Sequence, residues 1–351
     1  MSKLATIQRI TSIRPIEGAD NIEQAQVMGW TVVVEKSRYH EGEKVVFCEI
    51  DSLLPSNNPA FSFMEKYKYR VKTIKLRGVV SQGLVFPLNI ISSYLLDPKF
   101  SGESGEGEDV TDFLQIRKWE KPVHGGGLAN RVKFSTFPFF IPKTDEVRIQ
   151  SALGALEEIW GHPAYMTVKC DGTSMTVGYR NGEFFVCSRN NKIPLEELEN
   201  DGLYWPIVKK YNLEETLPPL GNIAIQGELV GPGIQKNRLG LDSHDWLVFD
   251  VYDIDNRCYY PFKKQQSIIE KLELKAIPIV VSNFFFDFNL EQLLKEANGL
   301  YSGLYWKYSL NTKNLREGIV VRPMQEMYSP TLKGRLSFKV IYNKFLLGGG
   351  E

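Results

Sequence analysis

The stretch Met166-Thr-Val-Lys-Cys-Asp-Gly-Thr-Ser174 decides how the central part of this chain folds, because polar and apolar residues alternate in it up to Gly172. On a strand, this alternation places Thr167, Lys169 and Asp171 on one face and apolar side chains on the other. We expect a half-buried strand with Lys169 on its solvated face. A lysine amine, with a free pKa of about 10.4, attacks a phosphate only after burial or a neighbouring cation lowers that pKa. Lys-x-Asp-Gly alone also fits an ordinary solvated lysine.

A β-hairpin is predicted directly downstream, because Asn181-Gly182 separates two alternating segments. With these two residues in the loop, Ser174 lies directly opposite Arg189. The hairpin then brings a hydroxyl and a guanidinium to the surface that carries Lys169. The alternative for Arg189 is a simple cross-strand partner on a solvated face.

Four later strand-like segments each contain a residue suited to nucleotide chemistry. Glu228 lies in 223–231, Phe249 in 246–253, Glu317 in 316–321, where it begins an apolar strand, and Lys339 in 337–341. Attack by an amine on the α-phosphate of a nucleotide needs acids for a divalent cation, cations for phosphate oxygens and an aromatic side chain for the base. These residues and Arg189 supply that set, although an aromatic residue such as Phe249 on a buried strand is expected to be core unless a base is bound.

The chain has the composition of a two-domain α+β protein. Residues 1–98 contain short strands with turns between them, typical of a small OB-type β-barrel. Residues 99–135 are rich in Ser, Gly and Glu and predict a linker. Residues 136–351 mix the helical segments 150–160 and 290–299 with seven strand-like runs, which predicts antiparallel sheets flanked by helices.

The composition of the chain argues against several classes of protein and of functional site. Basic and acidic residues balance at 42 each, so a nucleic-acid site must come from local segregation of charge. The four cysteines form no Cys-x-x-Cys pair, and we expect reduced thiols in an intracellular protein, cytoplasmic or nuclear. No run approaches the ~20 apolar residues of a membrane span, and the four histidines are too dispersed for a zinc site or a triad.

The order of these segments resembles the covalent nucleotidyltransferases, which are the polynucleotide ligases and capping enzymes. Six segments of this chain are similar, in the same order, to their motifs I, Ia, III, IIIa, IV and V. These segments are Lys169–Gly172, Ser188–Asn190, Gly227–Leu229, Trp246–Asp250, Arg316–Val320 and Ser337–Ile341. The resemblance implies that Lys169 is the nucleophile that forms lysyl-AMP and that Asp171, Glu228, Glu317 and Lys339 are also catalytic. It implies ATP as cofactor, with Mg²⁺ or Mn²⁺ held by Glu228 and Glu317 directly or through water. Nucleotide contacts are implied for Val168, Gly172, Ser174, Arg189, Phe249, Lys339 and Lys344.

The N-terminal part narrows the resemblance. The first part of the chain is similar to the OB domain of the Deinococcus and Naegleria type of RNA ligase in four segments, which are Pro15–Ile22, Glu49–Ser52, Arg70–Gly78 and Ser81–Leu84. The segment Pro142–Glu146 is similar to the one that leads into the ligase domain of these proteins. This implies ATP-dependent sealing of 3′-OH and 5′-phosphate ends at nicks, in RNA repair. One departure concerns motif V, where many relatives carry Lys-x-Lys and this chain has Ile341. Either Lys344 replaces the missing lysine or no residue does.

The nucleic-acid contacts are expected in the first domain. Residues 66–77 contain six basic residues and no acidic one. On one continuous strand, Lys66, Lys68, Arg70 and Lys72 would share a face at a spacing of about 6.6 Å. We expect these four, with Lys75 and Arg77, to bind the phosphates of a nicked duplex with an RNA 3′-OH strand. A solvated outer barrel face is the alternative.

Three other functions remain open from the sequence. A DNA ligase or a GTP-dependent capping enzyme shares motifs I to V, but only twelve residues follow Lys339, which leaves no space for their motif VI. A catalytically inactive nucleic-acid-binding protein is the third, and the intact set of charged motif residues argues against it. We expect the chain to act as a monomer and without a membrane.

Overall fold

The computed structural model describes residues 3–95, 105–119, 135–301 and 314–348. The chain divides into two compact units. The first comprises Met1–Val123, Gln150–Leu153 and Leu346–Glu351, and the second comprises His124–Ile149 and Gly154–Phe345. None of the helices in the described ranges is long and apolar enough to cross a membrane.

The first unit is built from short strands, as predicted. They are β1 (Ala5–Pro15), β2 (Ile22–Val27), β3 (Trp30–Glu35), β4 (Lys44–Cys48), β5 (Ser52–Leu53), β6 (Thr73–Leu76), β7 (Val79–Gln82), β8 (Leu84–Pro87) and β9 (Arg117–Lys118). Two 3-10 helices, Pro59–Tyr67 and Leu88–Ile91, and one helical turn, α1 (Ser92–Leu95), complete its secondary structure.

β1 is the strand that gives this unit its curvature. Its first half pairs with β4 and its second half with β2, and a bulge between Ile10 and Ser12 separates the two ladders. A bulge bends and twists a strand, which lets one strand belong to both sides of a barrel. The strands of this sheet lie in the order β3-β2-β1-β4-β8, and every neighbouring pair is antiparallel. Fully buried side chains such as Ile7, Trp30 and Phe47 fill its inside.

Part of the predicted linker belongs to this first unit. The Ile7 amide donates to the Glu108 carbonyl, and the Val110 amide donates to the Ala5 carbonyl, each at 2.9 Å. Val110 is fully buried. The linker prediction is therefore wrong for 105–119, because apolar residues within this polar stretch pack against β1. Residues 99–104 and 120–134 lie outside the described ranges.

The basic segment 66–77 does not form the continuous strand that we predicted. Lys66 lies in the last turn of a 3-10 helix, Lys68 adopts a left-handed conformation with φ 52°, and the strand begins only at Thr73. Arg70 is buried, its Nη2 donates to Asp51 Oδ1 at 2.9 Å, and its guanidinium lies 3.2 Å from the ring centroid of Trp119. Arg70 therefore stabilises the domain, and the expectation that it contacts phosphates is wrong.

The second unit contains the remaining strands and helices. The strands are β10 (Ser135–Thr136), β11 (Val147–Arg148), β12 (Pro163–Lys169), β13 (Thr173–Arg180), β14 (Glu183–Cys187), β15 (Asn191–Ile193), β16 (Ile223–Val230), β17 (Asp245–Asp253), β18 (Cys258–Tyr259), β19 (Lys275–Ala276), β20 (Ile279–Phe285), β21 (Gly318–Pro323), β22 (Tyr328–Ser329), β23 (Gly334–Arg335) and β24 (Phe338–Ile341). The helices are α2 (Gly154–Ile159), α3 (Leu195–Leu198), α4 (Trp205–Lys210), α5 (Leu213–Thr216), α6 (Phe262–Lys271) and α7 (Leu290–Glu296), with a 3-10 turn at Pro218–Leu220. α8 (Asn343–Leu347) and the 3-10 turn Ile149–Ser151 each include residues of both units.

Two sheets of this unit carry the predicted motifs. The larger has the order β10-β15-β14-β13-β16-β17-β18, with β19 also on β17, and the smaller has the order β11-β24-β21-β12-β20. Their pairs are antiparallel except for β11 with β24 and β17 with β19. The predicted α+β class, an OB-type domain plus antiparallel sheets with helices, is confirmed. Helix 150–160 is shorter than predicted and divided, with a 3-10 turn before α2.

The predicted hairpin is present. Arg180 pairs with Glu183, and the loop residues have φ values of 51° at Asn181 and 88° at Gly182, as a primed turn requires. The register continues to Thr176 and Cys187 and ends there. Beyond that point β14 turns into β15, with the Ser188 amide donating to the Asn191 carbonyl. The expected direct pairing of Ser174 with Arg189 is therefore wrong.

Candidate active site

Lys169 is the last residue of β12 and lies opposite Gly318 at the start of β21. Its Nζ is 2.8 Å from Glu317 Oε1, and the two side chains are 27% and 14% exposed. The polar face of β12 is not solvated, since Thr167 on that face is buried. The prediction of a solvated lysine is wrong, because Lys169 lies in a small cavity that Glu228 and Phe249 of the larger sheet also line.

The neighbours of Lys169 hold it in place. Val168 and Cys170 are buried in one apolar cluster with Val230 and Leu247. The Val168 amide donates to the Pro278 carbonyl at 2.9 Å. Alternation along the strand therefore fixes the direction in which the intervening lysine projects.

Three carboxylates surround the Lys169 amine. Burial acts to lower its pKa, but Glu317, Glu228 and Asp171 outweigh burial and raise the pKa of Lys169 above its ordinary value. The amine is therefore held as an ammonium ion in the metal-free protein. An additional positive charge at these carboxylates is the physical requirement for a neutral nucleophile.

Glu228 lies on β16, directly opposite Ser174 on β13. Burial, reinforced by Glu317 and Asp171, raises the pKa of Glu228 to about 8 although Lys169 acts against it. Gly172 makes this close approach of strands possible. A Cβ atom there would lie 2.5 Å from the Leu229 carbonyl oxygen and 2.7 Å from Glu228 Cγ. This explains the glycine of Lys-x-Asp-Gly.

We predict that Glu228→Gln stabilises the metal-free protein at pH 8. A carboxyl whose pKa rises on folding, here from 4.5 to about 8, loses stabilising protonation as the pH increases through that interval. The neutral amide removes this cost, so the thermal midpoint should increase by a few degrees, at ~2–4 °C per ~1 kcal/mol. The variant and the wild type should converge at pH 4. Thermal scans in a chelator at both pH values measure the difference, with exposed Glu157→Gln as control. A less stable variant at pH 8 contradicts the assignment.

Asp171 is held by a residue that the sequence did not indicate. Arg238 Nε donates to Asp171 Oδ2 at 3.0 Å, and the guanidinium lies 4.5 Å from the ring centroid of Phe345. Burial and the charge of Glu317 raise the pKa of Asp171, against the effect of Arg238. The Gln235 amide also donates to the Gly172 carbonyl at 3.2 Å. Asp171 thus has a fixed position beside Lys169.

Ser174 and Arg189 come together through a loop. Ser174 Oγ and Thr144 Oγ1 are 2.9 Å apart, and Arg189 Nη2 donates to Asp145 Oδ1 at 2.6 Å. The segment Pro142–Glu146, which the sequence singled out, therefore contacts both residues, and its Thr144 lines the Lys169 cavity, whereas Ser174 and Arg189 do not.

Phe249 is directed by a bulge in β17. Gln226 pairs with Asp250 and Gly227 with Val248, so Phe249 is the extra residue between them. Bulges redirect side chains and are frequent beside active sites. Phe249 lines a cavity of about 60 Å³ together with Val168, Lys169 and Glu228. Period-two alternation could not predict this bulge.

Lys339 lies on the same sheet face as Lys169. Thr167, Val320, Lys339 and Arg148 are directly opposite one another on β12, β21, β24 and β11. Directly paired residues project to one face, and Lys169 shares it because it is two residues from Thr167. Arg148 is a further cation in this row that sequence reasoning missed, since its two-residue strand gives no periodic pattern.

Lys344 lies apart from that row. It is exposed on α8, beyond the end of β24, whereas Ile341 is buried opposite Gly318. The register therefore gives no support for Lys344 as a replacement for the missing motif V lysine.

A buried ionic network also escaped the sequence analysis. Arg322 Nη2 lies 2.9 Å from Glu146 Oε1 and 3.2 Å from Asp250 Oδ2, and Arg335 Nη1 is 2.8 Å from the same Asp250 oxygen. The guanidinium of Arg322 is 5.9 Å from the ring centroid of Phe249. Arginines within strand patterns resemble solvated residues in sequence, so only the packing of the two sheets could identify them.

A divalent cation fits this chemistry. The carboxylates of Glu228 and Glu317 are hard oxygen ligands, which suit such an ion. The positively charged amine of Lys169 already contacts Glu317, so this carboxylate accommodates a cation. Within the described ranges, no group of three or more His, Cys, Asp or Glu residues is arranged to hold a metal. Two carboxylates suit Mg²⁺ or Mn²⁺ with retained waters and substrate phosphates as further ligands.

Comparisons with known proteins agree with this geometry. The model of an OB-fold domain matches residues 4–88, and the RNA ligase family model matches residues 162–341, which is more than half of the chain. No curated protein matches the chain.

Solved structures of an RNA ligase from Naegleria gruberi are similar over the whole chain. A mutant with ATP and Mn has 33% identity and a TM-score of 0.84, with 99% of each chain covered. The same ligase with pyrophosphate has 33% identity and a TM-score of 0.84, covering 100% of this chain and 99% of that one. A mutant with AMP and Mn has 33% identity and a TM-score of 0.85, with 99% of each chain covered.

Proposed function

The chain belongs to the RNA ligase family, and we propose that this ATP-dependent RNA ligase seals 3′-OH and 5′-phosphate ends through a lysyl-AMP intermediate. One observation carries the proposal: Lys169 Nζ lies 2.8 Å from Glu317 Oε1, in a cavity that Glu228 and Phe249 also line. A nucleophile, an acid and an aromatic side chain at one cavity, with a second acid in contact with the nucleophile, suit the transfer of a nucleotide.

The reaction has three steps. The neutral amine of Lys169 attacks the α-phosphorus of ATP, a P–N bond forms, and the bond to pyrophosphate breaks. The 5′-phosphate of the RNA then attacks the same phosphorus, which restores the amine and gives an adenylylated end. Finally the 3′-OH attacks the 5′-phosphorus and AMP leaves. Catalysis in such transfers is mostly positioning and neutralisation of charge.

The side chains divide these tasks. Phe249 stacks on the adenine, and the buried residues around Val168 exclude water from one side of the nucleotide. Lys339 and Arg148, in the row beside Lys169, neutralise phosphate oxygens. Arg189 and Ser174 contact the nucleotide from the opposite sheet. Asp171, fixed by Arg238, orients the end of β12.

Glu228 and Glu317 are the residues that hold a Mg²⁺ or Mn²⁺ ion. When bound, such an ion favours the neutral amine and offsets the negative charge of the α-phosphate. The acidic surroundings that raise the pKa of Lys169 in the metal-free protein are the observation that this role explains.

Labelling with radioactive ATP tests the function. The full chain is incubated with the label and Mg²⁺ or Mn²⁺ but without nucleic acid, and a covalent protein–AMP adduct is expected. GTP in place of ATP should give no adduct. Labelling by GTP indicates a capping-type enzyme, and no labelling by either nucleotide indicates an inactive binding protein.

We propose that the substrate is a nicked duplex with an RNA 3′-OH strand, sealed in RNA repair by a monomeric cytoplasmic protein. The RNA ligase family implies a nucleic-acid substrate. Comparing nicks with RNA or DNA at the 3′-OH strand tests the preference. Equal sealing of both, or of a DNA nick alone, contradicts it.

The exposed basic cluster of the first unit, which we define as Lys66, Lys68, Lys72, Lys75 and Arg77, is proposed to bind the phosphates of that duplex. Neutralising all five with glutamine should weaken binding at 50 mM salt and lower the dependence of binding on salt. The logarithmic salt slope should decrease by about 0.9 for each phosphate that the variant no longer neutralises. Binding of a labelled nick at several salt concentrations measures this slope.

Exposed Lys264 and Lys271 on α6 provide the matched control. Their replacement with glutamine should alter the slope less per charge removed. An unchanged slope in the five-residue variant indicates a solvated face that does not contact the nucleic acid.

A further inference from the structure

A second, larger cavity lies beside the Lys169 cavity in the second unit. It has a volume of about 610 Å³, within the usual range of ~300–1,000 Å³ for small-molecule sites. The two cavities share Thr144 and Glu146, whereas Lys169, Glu228 and Phe249 line the smaller one. A group bound in the larger cavity therefore lies next to the nucleotide site without occupying it.

The inner wall of this cavity is preorganised. Both terminal nitrogens of Arg335 contact Asp250 at 2.8 Å, and the guanidinium lies 3.8 Å from the ring centroid of Tyr259. Tyr259 Oη donates to Gln226 Oε1 at 3.2 Å. Its inner polar side chains thus already have partners, and the wall offers aromatic and planar surfaces.

Tyr328 stands at the mouth of the cavity and is 70% exposed. It lies on β22, directly opposite Arg335 on β23. Glu158 of α2 anchors this hairpin, because it accepts hydrogen bonds from Ser329 Oγ and, at 3.0 Å, from the Thr331 amide. An exposed aromatic side chain on an anchored hairpin is a ready surface for stacking.

The charges at the mouth suit a nucleic-acid strand. Lys143 and Arg257 line the cavity and are exposed. Two exposed acids line it as well, but Asp145 pairs with Arg189, and Glu326 accepts a hydrogen bond from the Tyr259 amide. Phosphates can therefore approach the two basic side chains from solvent. Bases of single strands and of strand ends are commonly held by stacking on tyrosine. The third step of the proposed reaction brings the 3′-OH strand to the nucleotide site, and the larger cavity adjoins that site through Thr144 and Glu146.

We propose that the larger cavity binds the terminal nucleotide of the RNA 3′-OH strand, with its base stacked on Tyr328. This inference rests on the proposed ligase function and names the site of its second substrate. Tyr328 is a binding residue in this proposal and has no part in the formation of lysyl-AMP.

The test compares Tyr328→Ala with Tyr328→Phe, which keeps the aromatic ring. For Tyr328→Ala, labelling by ATP should remain at the wild-type level, because Tyr328 does not line the Lys169 cavity. Sealing of a pre-adenylylated nick at subsaturating concentration should decrease about tenfold, through the apparent affinity for the nick. Tyr328→Phe should restore sealing. Phe285→Ala removes a ring that is 71% exposed and lines neither cavity, and it should have no effect.

The outcomes separate the two proposals. Absence of labelling by ATP in the wild-type protein contradicts the ligase function itself. An increased KM for ATP in Tyr328→Ala, with normal sealing of the pre-adenylylated nick, assigns the cavity to ATP and overturns this inference. Normal sealing with a normal KM for ATP overturns it as well.

Discussion

Lys169→Ala is expected to lose all detectable labelling by ATP, a decrease of at least about 10³-fold, because the amine is the atom that forms the bond to AMP. The substitution removes an ammonium ion that contacts Glu317 at 2.8 Å. Among the described residues, Lys169 is the one lysine that lines the cavity with Phe249 and Glu228. The measurement is transfer of radioactive AMP to the purified variant.

The same variant should still seal a pre-adenylylated nick. The final attack by the 3′-OH needs positioned phosphates and a cation but no lysine nucleophile. This second measurement also shows that the variant is folded and binds its substrate. A Lys169→Ala protein that labels itself like the wild type removes Lys169 from the mechanism.

Removal of divalent cations is expected to abolish labelling by ATP, and Glu228→Ala and Glu317→Ala are each expected to reduce it by about 10²–10³-fold. Loss of one preorganised electrostatic group at a reacting centre typically has this magnitude. The metal-free protein holds Lys169 as an ammonium ion, since Glu317, Glu228 and Asp171 together outweigh burial and raise the pKa of Lys169. The rate should therefore increase with pH in limiting cation. Labelling rates across cation concentration and pH measure both effects.

Glu158→Ala is a suitable comparison for the carboxylate variants. Glu158 accepts hydrogen bonds from the β22–β23 hairpin and lies outside the Lys169 cavity. It should leave the cation dependence of labelling unchanged. Labelling without a divalent cation, or full activity of Glu228→Ala, contradicts the metal-site assignment.

The sequence by itself determined the class of chemistry. Local patterns identified a strand over 166–171 that carries Lys169, the hairpin at Asn181-Gly182 and the order of the charged motif residues. In the structure this strand ends at Lys169. These features depend on neighbours in sequence, because alternation and turn geometry act over two to four residues. Lys169, Glu228, Phe249 and Glu317 follow from this level, and the structure brings Lys169, Glu228 and Phe249 to one cavity, with Glu317 against Lys169.

Other features depended on which strands become neighbours. The sequence placed Arg70 on a solvated strand, but packing buries it against Asp51 and Trp119. The sequence also assigned 105–119 to a linker, although backbone hydrogen bonds join this segment to β1.

Only the tertiary structure decided the environment of the nucleophile. The bulge that exposes Phe249 to the cavity, the row of Arg148 and Lys339, and the support of Asp171 by Arg238 all join residues far apart in sequence. The raised pKa of Lys169 has largely the same origin, because Glu317 and Glu228 meet its amine from segments distant in sequence, whereas Asp171 is two residues away. The sequence specifies which groups are available, whereas sheet pairing sets their distances, and electrostatic effects depend on distance.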